Sequence, residues 1–211
     1  MPRTIETTVF QFSELSDSAK ETARNWWRES ETANFDAEFV IEDAERMAGI
    51  LGIEFDGKAV KLMGGGARTK PTVYWSGFWA QGSGACFEGR YSYAKGAAVK
   101  IRKEAPDDKE LHRIADTLQA IQRAAFYRLK ARCQHRGHYY HSGCMQIDVW
   151  DDQNEYSTAV DVDGVAQALR DFADWIYRQL EREYEYRISD ECVDEFIIAN
   201  EYEFDASGAR A

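Results

Sequence analysis

Apolar residues recur at helical spacing along much of the chain. Behind Ser16, a typical N-cap residue, the positions Ala19, Ala23, Trp26 and Trp27 fall on one helical face. The same periodicity, with a cap or breaker at the ends, predicts further helices. These run from Asp36 to Gly52, from Pro106 to Leu129, from Asp163 to Leu180 and from Ser189 to Ile198.

Between these helices lie short runs rich in aromatic and β-branched residues, which predict strands. They cover Thr7–Phe12, Ile53–Leu62 and His138–Trp150, and two more runs flank a turn at Gln81–Gly84 to make a hairpin over Val73–Tyr93. We therefore predict an α+β fold, with a central antiparallel, aromatic-rich sheet wrapped by about five helices.

No repeat or low-complexity linker divides the sequence. One domain over residues 1–211 is the simplest prediction, with a frayed tail at about residues 206–211. The glycines Gly64, Gly65 and Gly66 predict a mobile loop that separates two sheet segments.

Charge is distributed unevenly along the chain, whose formal net charge is −11. Residues 57–103 hold nine bases and one acid, whereas residues 1–56 carry a net −8 and residues 148–205 a net −14. Two explanations stand side by side. In one, basic strands lie against acidic helices within the fold. In the other, the basic middle faces an anionic ligand and the acidic ends face a protein partner or solvent.

The first residues, Met1–Glu6, contain no apolar stretch of signal-peptide length, and no later run approaches the roughly 20 residues that span a bilayer. The four cysteines form no CxxC pair. Inside a cell such thiols normally stay reduced. We therefore expect a cytoplasmic protein with no membrane partner and no disulfide.

Histidine and cysteine concentrate in one short segment between Cys133 and Cys144. Imidazole and thiolate groups are good zinc ligands, but a regular strand would point His138 and His141 to opposite faces, and the spacing is not that of a zinc finger. We expect no metal and no other cofactor. The ligand candidates, if a loop gathered them, are His135, His138, His141 and Cys144.

A catalytic thiol would need a base beside it, and Cys86 with His138 or His141 is the candidate pair. A small buried cysteine is the competing interpretation. The chain contains no GxSxG, HExxH or P-loop motif. We therefore predict that the protein is not an enzyme.

The segment from residue 57 to 103 interleaves aromatic and basic residues, as surfaces that stack bases and neutralise phosphates do. The alternative is that the aromatic strands are core. If the segment binds a nucleotide or single-stranded nucleic acid, the candidate ligand-binding residues are Trp75, Trp79, Arg90, Lys100, Arg102 and Lys103.

Three motifs carry a resemblance to a known group of proteins. Phe12–Lys20 (FSELSDSAK), Tyr74–Gly89 (YWSGFWAQGSGACFEG) and Arg136–Trp150 (RGHYYHSGCMQIDVW) are similar to segments of poorly characterised bacteriophage and prophage proteins, some labelled antitoxin-like. The resemblance covers about residues 7–152. It implies a viral accessory role in the host cytoplasm and assigns no catalytic residue.

That role favours a phage-encoded, anti-CRISPR-like inhibitor that binds a host defence protein, and a basic host surface would suit the acidic C-terminal helices. The candidate partner-binding residues are Asp190, Glu191, Asp194 and Glu195. A merely solvated acidic face is the competing interpretation. Two alternative functions remain. The protein could be a nucleotide or single-stranded nucleic-acid binding module, or an antitoxin that neutralises a partner toxin.

Overall fold

The computed structural model describes residues 8–61, 63–151 and 161–211. Every pair of strands within them is antiparallel, and the predicted α+β class is confirmed. The helices are α1 (Asp17–Asn34), α2 (Glu38–Leu51), α3 (Ala97–Glu104), α4 (Lys109–Ala124), α5 (Val162–Arg187) and α6 (Asp190–Ala199). The strands are β1 (Phe10–Gln11), β2 (Ile53–Phe55), β3 (Gly57–Lys61), β4 (Ala67–Pro71), β5 (Val73–Trp75), β6 (Ala85–Phe87), β7 (Gly89–Ser92), β8 (Leu129–His135), β9 (Met145–Asp151) and β10 (Glu203–Phe204).

The chain divides into two compact units. Unit 1 comprises Met1–Asp36 with Glu181–Ala211, and unit 2 comprises Ala37–Leu180. Unit 1 is thus built from both ends of the sequence, and α5 runs from one unit into the other. The single domain expected from the sequence stays a prediction.

Unit 2 contains a four-stranded sheet with the order β2-β7-β8-β9. Side chains alternate across it: Tyr91, Ala131 and Cys133 are buried, whereas Arg90 is exposed and Arg132 half-buried. Because successive side chains of a strand point to opposite faces, the sheet has one apolar and one polar face. The apolar face belongs to the core.

Helices α4 and α5 supply side chains to that core. The Gln122 amide of α4 donates to the Leu129 carbonyl oxygen at 2.8 Å and accepts from the Leu129 backbone N–H at 3.2 Å. Phe172 of α5 packs against Phe87, with ring centroids 6.0 Å apart. These contacts leave the polar face of the sheet as the one that meets solvent.

Unit 2 also carries two hairpins outside the four-stranded sheet. The predicted aromatic hairpin is confirmed for β5 and β6, although β7 joins the larger sheet. At Gly84 an added Cβ would lie 2.5 Å from His141 Cβ, so close packing excludes a side chain there. Strands β3 and β4 pair directly. The glycine-rich loop therefore lies between two strand segments, as predicted, and these strands pair with each other in one hairpin.

Unit 1 packs α1 against α6 beside the β1–β10 pair. The N-caps predicted at Ser16 and Ser189 are confirmed, since each hydroxyl accepts a backbone N–H three residues later. Seven side chains form its buried cluster: Phe12, Leu15, Ala19, Ala23, Val193, Ile197 and Phe204.

The C-terminal tail, which the sequence predicts to fray, forms defined contacts. Asp205 Oδ1 accepts backbone N–H groups from Ser207 at 2.8 Å and Ala209 at 3.1 Å. The Arg210 guanidinium lies 5.0 Å from the centre of the Trp26 ring. Local turn bonds and a cation–π contact hold these residues, and neither leaves a strong signal in the sequence.

Several elements also differ from prediction. Helix α4 ends at Ala124, where the positive φ angles of Phe126 (54°) and Tyr127 (62°) reverse the chain, so Leu129 opens a strand. The helix α3 was not predicted. Of the strand predicted from Thr7 to Phe12, Thr7 lies outside the described residues and only Phe10–Gln11 is extended in a ladder. No helix of the described residues is both long and apolar enough to cross a bilayer.

Candidate functional site

The polar face of the four-stranded sheet holds a hollow of about 370 Å³. Its lining residues are Glu54, Arg90, Tyr91, Ser92, Lys130, Ala131, Arg132 and Trp150. A second hollow of about 200 Å³ adjoins it, because the two share Glu54 and Arg90. The volume of the larger hollow is within the usual range for small-ligand sites.

Strand register brings the lining side chains together. Ser92 lies opposite Lys130, which lies opposite Trp150, and one step along the strands Arg90 lies opposite Arg132. Residues in register project from the same face and lie about 5 Å apart at Cβ. Strand β7 and the distant pair β8 and β9 thus present two rows of polar side chains and one indole.

Arg132 is fixed by a two-pronged ion pair with Asp56. Its Nη1 donates to Oδ1 at 2.9 Å and its Nη2 to Oδ2 at 2.5 Å. The hydrogen bond to Asp56 raises the pKa of Arg132. Asp56 therefore neutralises this guanidinium locally, and Arg132 serves the hollow mainly as a rigid wall.

Arg90 differs from Arg132, because it forms no ion pair with another of the described residues and its side chain is exposed. Trp150 is 40% exposed and offers part of its ring to the hollow. Glu54 adds a carboxylate beside Arg90, its cross-strand partner. A cation, an aromatic face and a hydrogen-bond acceptor thus line one cavity.

The tryptophans predicted to bind a ligand lie elsewhere. Trp75 is half-buried in β5, with its ring stacked on Phe78 at a centroid distance of 5.7 Å. Trp79 follows in the hairpin turn and is 64% exposed. Neither lines the hollow, so among the predicted aromatic–basic set only Arg90 does.

The predicted bases Lys100, Arg102 and Lys103 are exposed on α3. Arg102 Nη2 lies 2.6 Å from Asp116 Oδ2, and that hydrogen bond raises the pKa of Arg102. The hollow includes none of the three residues. The four predicted basic site residues therefore lie in two places, Arg90 on the sheet and the other three on α3.

The histidine-rich segment forms a loop between β8 and β9. His135 Nε2 lies 3.1 Å from the Tyr139 carbonyl oxygen, and His138 is exposed. Within the part of the chain that the structure describes, no three His, Cys, Asp or Glu side chains converge as a metal site would need. The expectation of no metal stays a prediction.

Cys144 contacts His141, with 3.4 Å between Sγ and Nε2. His141 Nδ1 accepts the Gly143 backbone N–H at 3.1 Å, so the neutral ring carries its proton on Nε2 and donates it toward sulfur. In this orientation the imidazole does not take the thiol proton. Cys86, the predicted nucleophile, is fully buried, and burial raises its thiol pKa to about 12.

The four acids predicted to bind a partner fall into two pairs. Arg24 and Arg28 of α1 bind Asp194 and Asp190, respectively. Glu191 and Glu195 are exposed and form no ion pair within the described residues. The first pair stabilises the fold of unit 1, and the second pair faces solvent.

Seven of the eight lining residues were not predicted from the sequence, and the outward-facing Glu54, Lys130, Arg132 and Trp150 are among them. A signal existed for two of them, because Leu129–His135 alternates buried and outward positions with the period of a strand. Its apolar positions after Leu129 are the small Ala131 and Cys133, which gave a weak pattern.

A family model described as "Domain of unknown function (DUF8835)" matches residues 37–190. No curated protein and no solved structure matches the chain. The family match contains all of unit 2, including every residue that lines the hollow. Since it covers more than half of the chain, the protein belongs to the DUF8835 family, a domain of unknown function.

Proposed function

We propose that the protein binds a nucleotide on the polar face of the four-stranded sheet. The observation that carries this proposal is the hollow of about 370 Å³ in which Arg90, Trp150 and Glu54 meet. It supports the binding-module function predicted from the aromatic and basic residues, but through a largely different set of side chains.

The chemistry of the lining favours a nucleotide over a simple anion or an apolar molecule. Arg90 offers a guanidinium to phosphate, the Trp150 ring offers a stacking face to a base, and Glu54 accepts hydrogen bonds from sugar hydroxyls. Unit 2 has 20 acidic and 19 basic residues, so it does not repel a small anion as the whole chain would.

Titration of the full chain with fluorescent ATP, GTP and a labelled oligothymidylate tests the proposal by anisotropy. Replacing Trp150 with Ala should raise the Kd for the bound nucleotide about tenfold or more, because stacking contributes roughly 1–3 kcal/mol per base. Arg90→Ala should weaken triphosphate binding more than nucleoside binding, since it removes a contact to phosphate.

Two exposed residues of the same unit provide matched controls, Trp79→Ala and Arg123→Ala. Both should leave the Kd within about twofold, because neither lines the hollow. Equal losses in Trp79→Ala and Trp150→Ala, or no binding of any probe, would contradict the proposal. Tighter binding of the oligothymidylate than of either nucleotide would assign the face to single strands instead.

A further inference from the structure

The family domain and unit 1 are almost separate along the sequence. The DUF8835 match spans residues 37–190, whereas unit 1 comprises Met1–Asp36 and Glu181–Ala211. Unit 1 holds 17 acidic and seven basic residues, a formal net charge of −10 out of −11 for the chain. Nearly all of the protein's excess charge therefore lies in the terminal unit.

Some acidic side chains of unit 1 form ion pairs within the unit, and others form none among the described residues. Arg24 contacts Asp190 at 3.6 Å and Asp194 at 2.6 Å, so these two carboxylates turn toward α1. Glu191 and Glu195 lie one helical turn apart on the outward side of α6, with no ion pair among the described residues. Their charge is available to a partner.

Exposed apolar side chains surround these two glutamates. Ile198 is 56% exposed and lies three residues beyond Glu195, on the same side of α6. Tyr186 is 58% exposed, and the nearby Cys192 and Glu195 side chains raise its pKa.

Phe196 follows Glu195 in the chain, lies on the side of α6 away from Ile198, and is 38% exposed. Its ring stacks on Trp27 at a centroid distance of 4.0 Å and an interplanar angle of 22°, so helix α1 holds it in one orientation. We call Tyr186, Glu191, Glu195, Phe196 and Ile198 together the acidic docking surface. The stacking on Trp27 fixes the Phe196 ring, which lowers the entropy cost of a contact with it.

We infer that the acidic docking surface binds a basic amphipathic segment of another protein. Lysine or arginine side chains of such a segment would pair with Glu191 and Glu195, while its apolar side chains would cover Ile198, which lies on the same side of α6. Nucleic acid and anionic lipid are repelled by a unit of charge −10, and so is a second copy of this chain. This inference does not depend on the nucleotide proposal.

Anisotropy with three labelled synthetic peptides and the full chain tests the inference. One peptide is an amphipathic helix of Lys and Leu, the second has Glu for every Lys, and the third has Ser for every Leu. The Lys/Leu peptide should bind, with an affinity that falls as salt rises. Either replacement should weaken binding about tenfold or more.

Charge reversal locates the site. Glu191→Lys with Glu195→Lys, and separately Ile198→Ser, should each weaken binding of the Lys/Leu peptide about tenfold. The control reverses two exposed acids elsewhere in unit 1, Glu29→Lys with Glu203→Lys, and should change the Kd by less than about threefold. Circular dichroism checks the fold, and Glu191→Gln with Glu195→Gln replaces any reversal variant that unfolds.

Three results would overturn the inference. An equal loss in the Glu29 and Glu203 control would mean that diffuse charge attracts the peptide. Equal binding of the Glu/Leu peptide would mean that apolar adhesion dominates. A dimer in sedimentation that Ile198→Ser dissolves would mean that a second copy of the chain occupies the surface.

Discussion

Arg24 and Asp194, which lie 170 residues apart in the sequence, form a two-pronged ion pair. Arg24 Nε donates to Oδ1 at 2.6 Å and Nη2 to Oδ2 at 2.7 Å. The hydrogen bond to Asp194 raises the pKa of Arg24, and both side chains are mostly shielded from solvent. This pair joins helix α1 to helix α6, so Asp194 has a structural role in unit 1.

Reversal of Asp194 to Lys should therefore destabilise the protein. The change removes two charge-assisted hydrogen bonds and places an ammonium beside the Arg24 guanidinium, at a cost of roughly 1–3 kcal/mol. Urea denaturation measures the free energy of unfolding. Glu195→Lys, on the outward side of the same helix, is the control and should change stability by less than about 0.5 kcal/mol.

Because Asp194 has this structural role, the four acids predicted to bind a partner should not all respond in the same way to charge reversal. Reversing them all as one set would combine a folding defect from Asp190 and Asp194 with any binding defect from Glu191 and Glu195. If Asp194→Lys unfolds at the same urea concentration as the wild type, the ion pair does not contribute to stability, and the four acids are equivalent after all.

Gly208→Val should also destabilise the protein, although its position near the C-terminus predicts tolerance. A Cβ at this residue would lie 2.0 Å from the Ala19 carbonyl oxygen, and the φ angle of +88° disfavours side chains. Strain of this kind costs roughly 1–3 kcal/mol. The control is Gly64→Val, where an added Cβ meets nothing within 4 Å. Equal melting temperatures for the two variants would contradict the ordered tail.

Local signals in the sequence predicted the ends of several elements correctly. Ser16 and Ser189 cap helices, and Gly52 ends α2 with a left-handed φ of 89°, because each of these residues acts on backbone groups within four positions. Helix α3 has no such signal in the sequence, because its N-cap, Gly96, has no side chain that could cap the helix. The end of α4 was missed because Phe126 and Tyr127 adopt the conformation usually reserved for glycine.

The candidate site was harder to predict than the fold class. Arg90 and Trp150 line one hollow only because β7, β8 and β9 pair in one register, and no local pattern specifies pairing between such distant segments. The resemblance to phage proteins, with its anti-defence or antitoxin function, stays a prediction, since the DUF8835 family carries no assigned activity.

Gln122 offers a test of the buried polar contacts that hold α4 on the sheet. The side chain is fully buried and bonds both backbone groups of Leu129, as well as the Tyr91 hydroxyl at 3.3 Å. Gln122→Leu should lower the free energy of unfolding by roughly 1–3 kcal/mol for each buried group left unpaired.

Gln119→Leu on the same helix is the matched control, because the Gln119 side chain is only half-buried. Gln119→Leu should change the free energy of unfolding by less than about 1 kcal/mol. A Gln122→Leu variant as stable as Gln119→Leu would show that the Leu129 backbone groups find other partners. Chemical denaturation of both variants in parallel makes the comparison.

Buried thiols should make the protein unstable in alkali. Burial raises the pKa of Cys86 and of Cys133 to about 12, from an ordinary value of 9.0, and burial likewise raises the pKa of Tyr91 to about 12. Between pH 9 and pH 12 the unfolded chain loses these thiol protons while the folded chain keeps them. The unfolded state therefore binds fewer protons, and stability falls as pH rises through this window.

Urea denaturation at intervals from about pH 7 to pH 11 measures that fall, which amounts to about 1.4 kcal/mol per pH unit for each proton held only by the folded state. The Cys86→Ala, Cys133→Ala double variant removes two of these protons and should show a shallower decline above pH 9, even if its stability at neutral pH is lower. Cys192→Ala, which alters a half-buried thiol, should keep more of the slope. Parallel declines in the wild type and the double variant would mean that the Cys86 and Cys133 thiols do not govern alkaline unfolding.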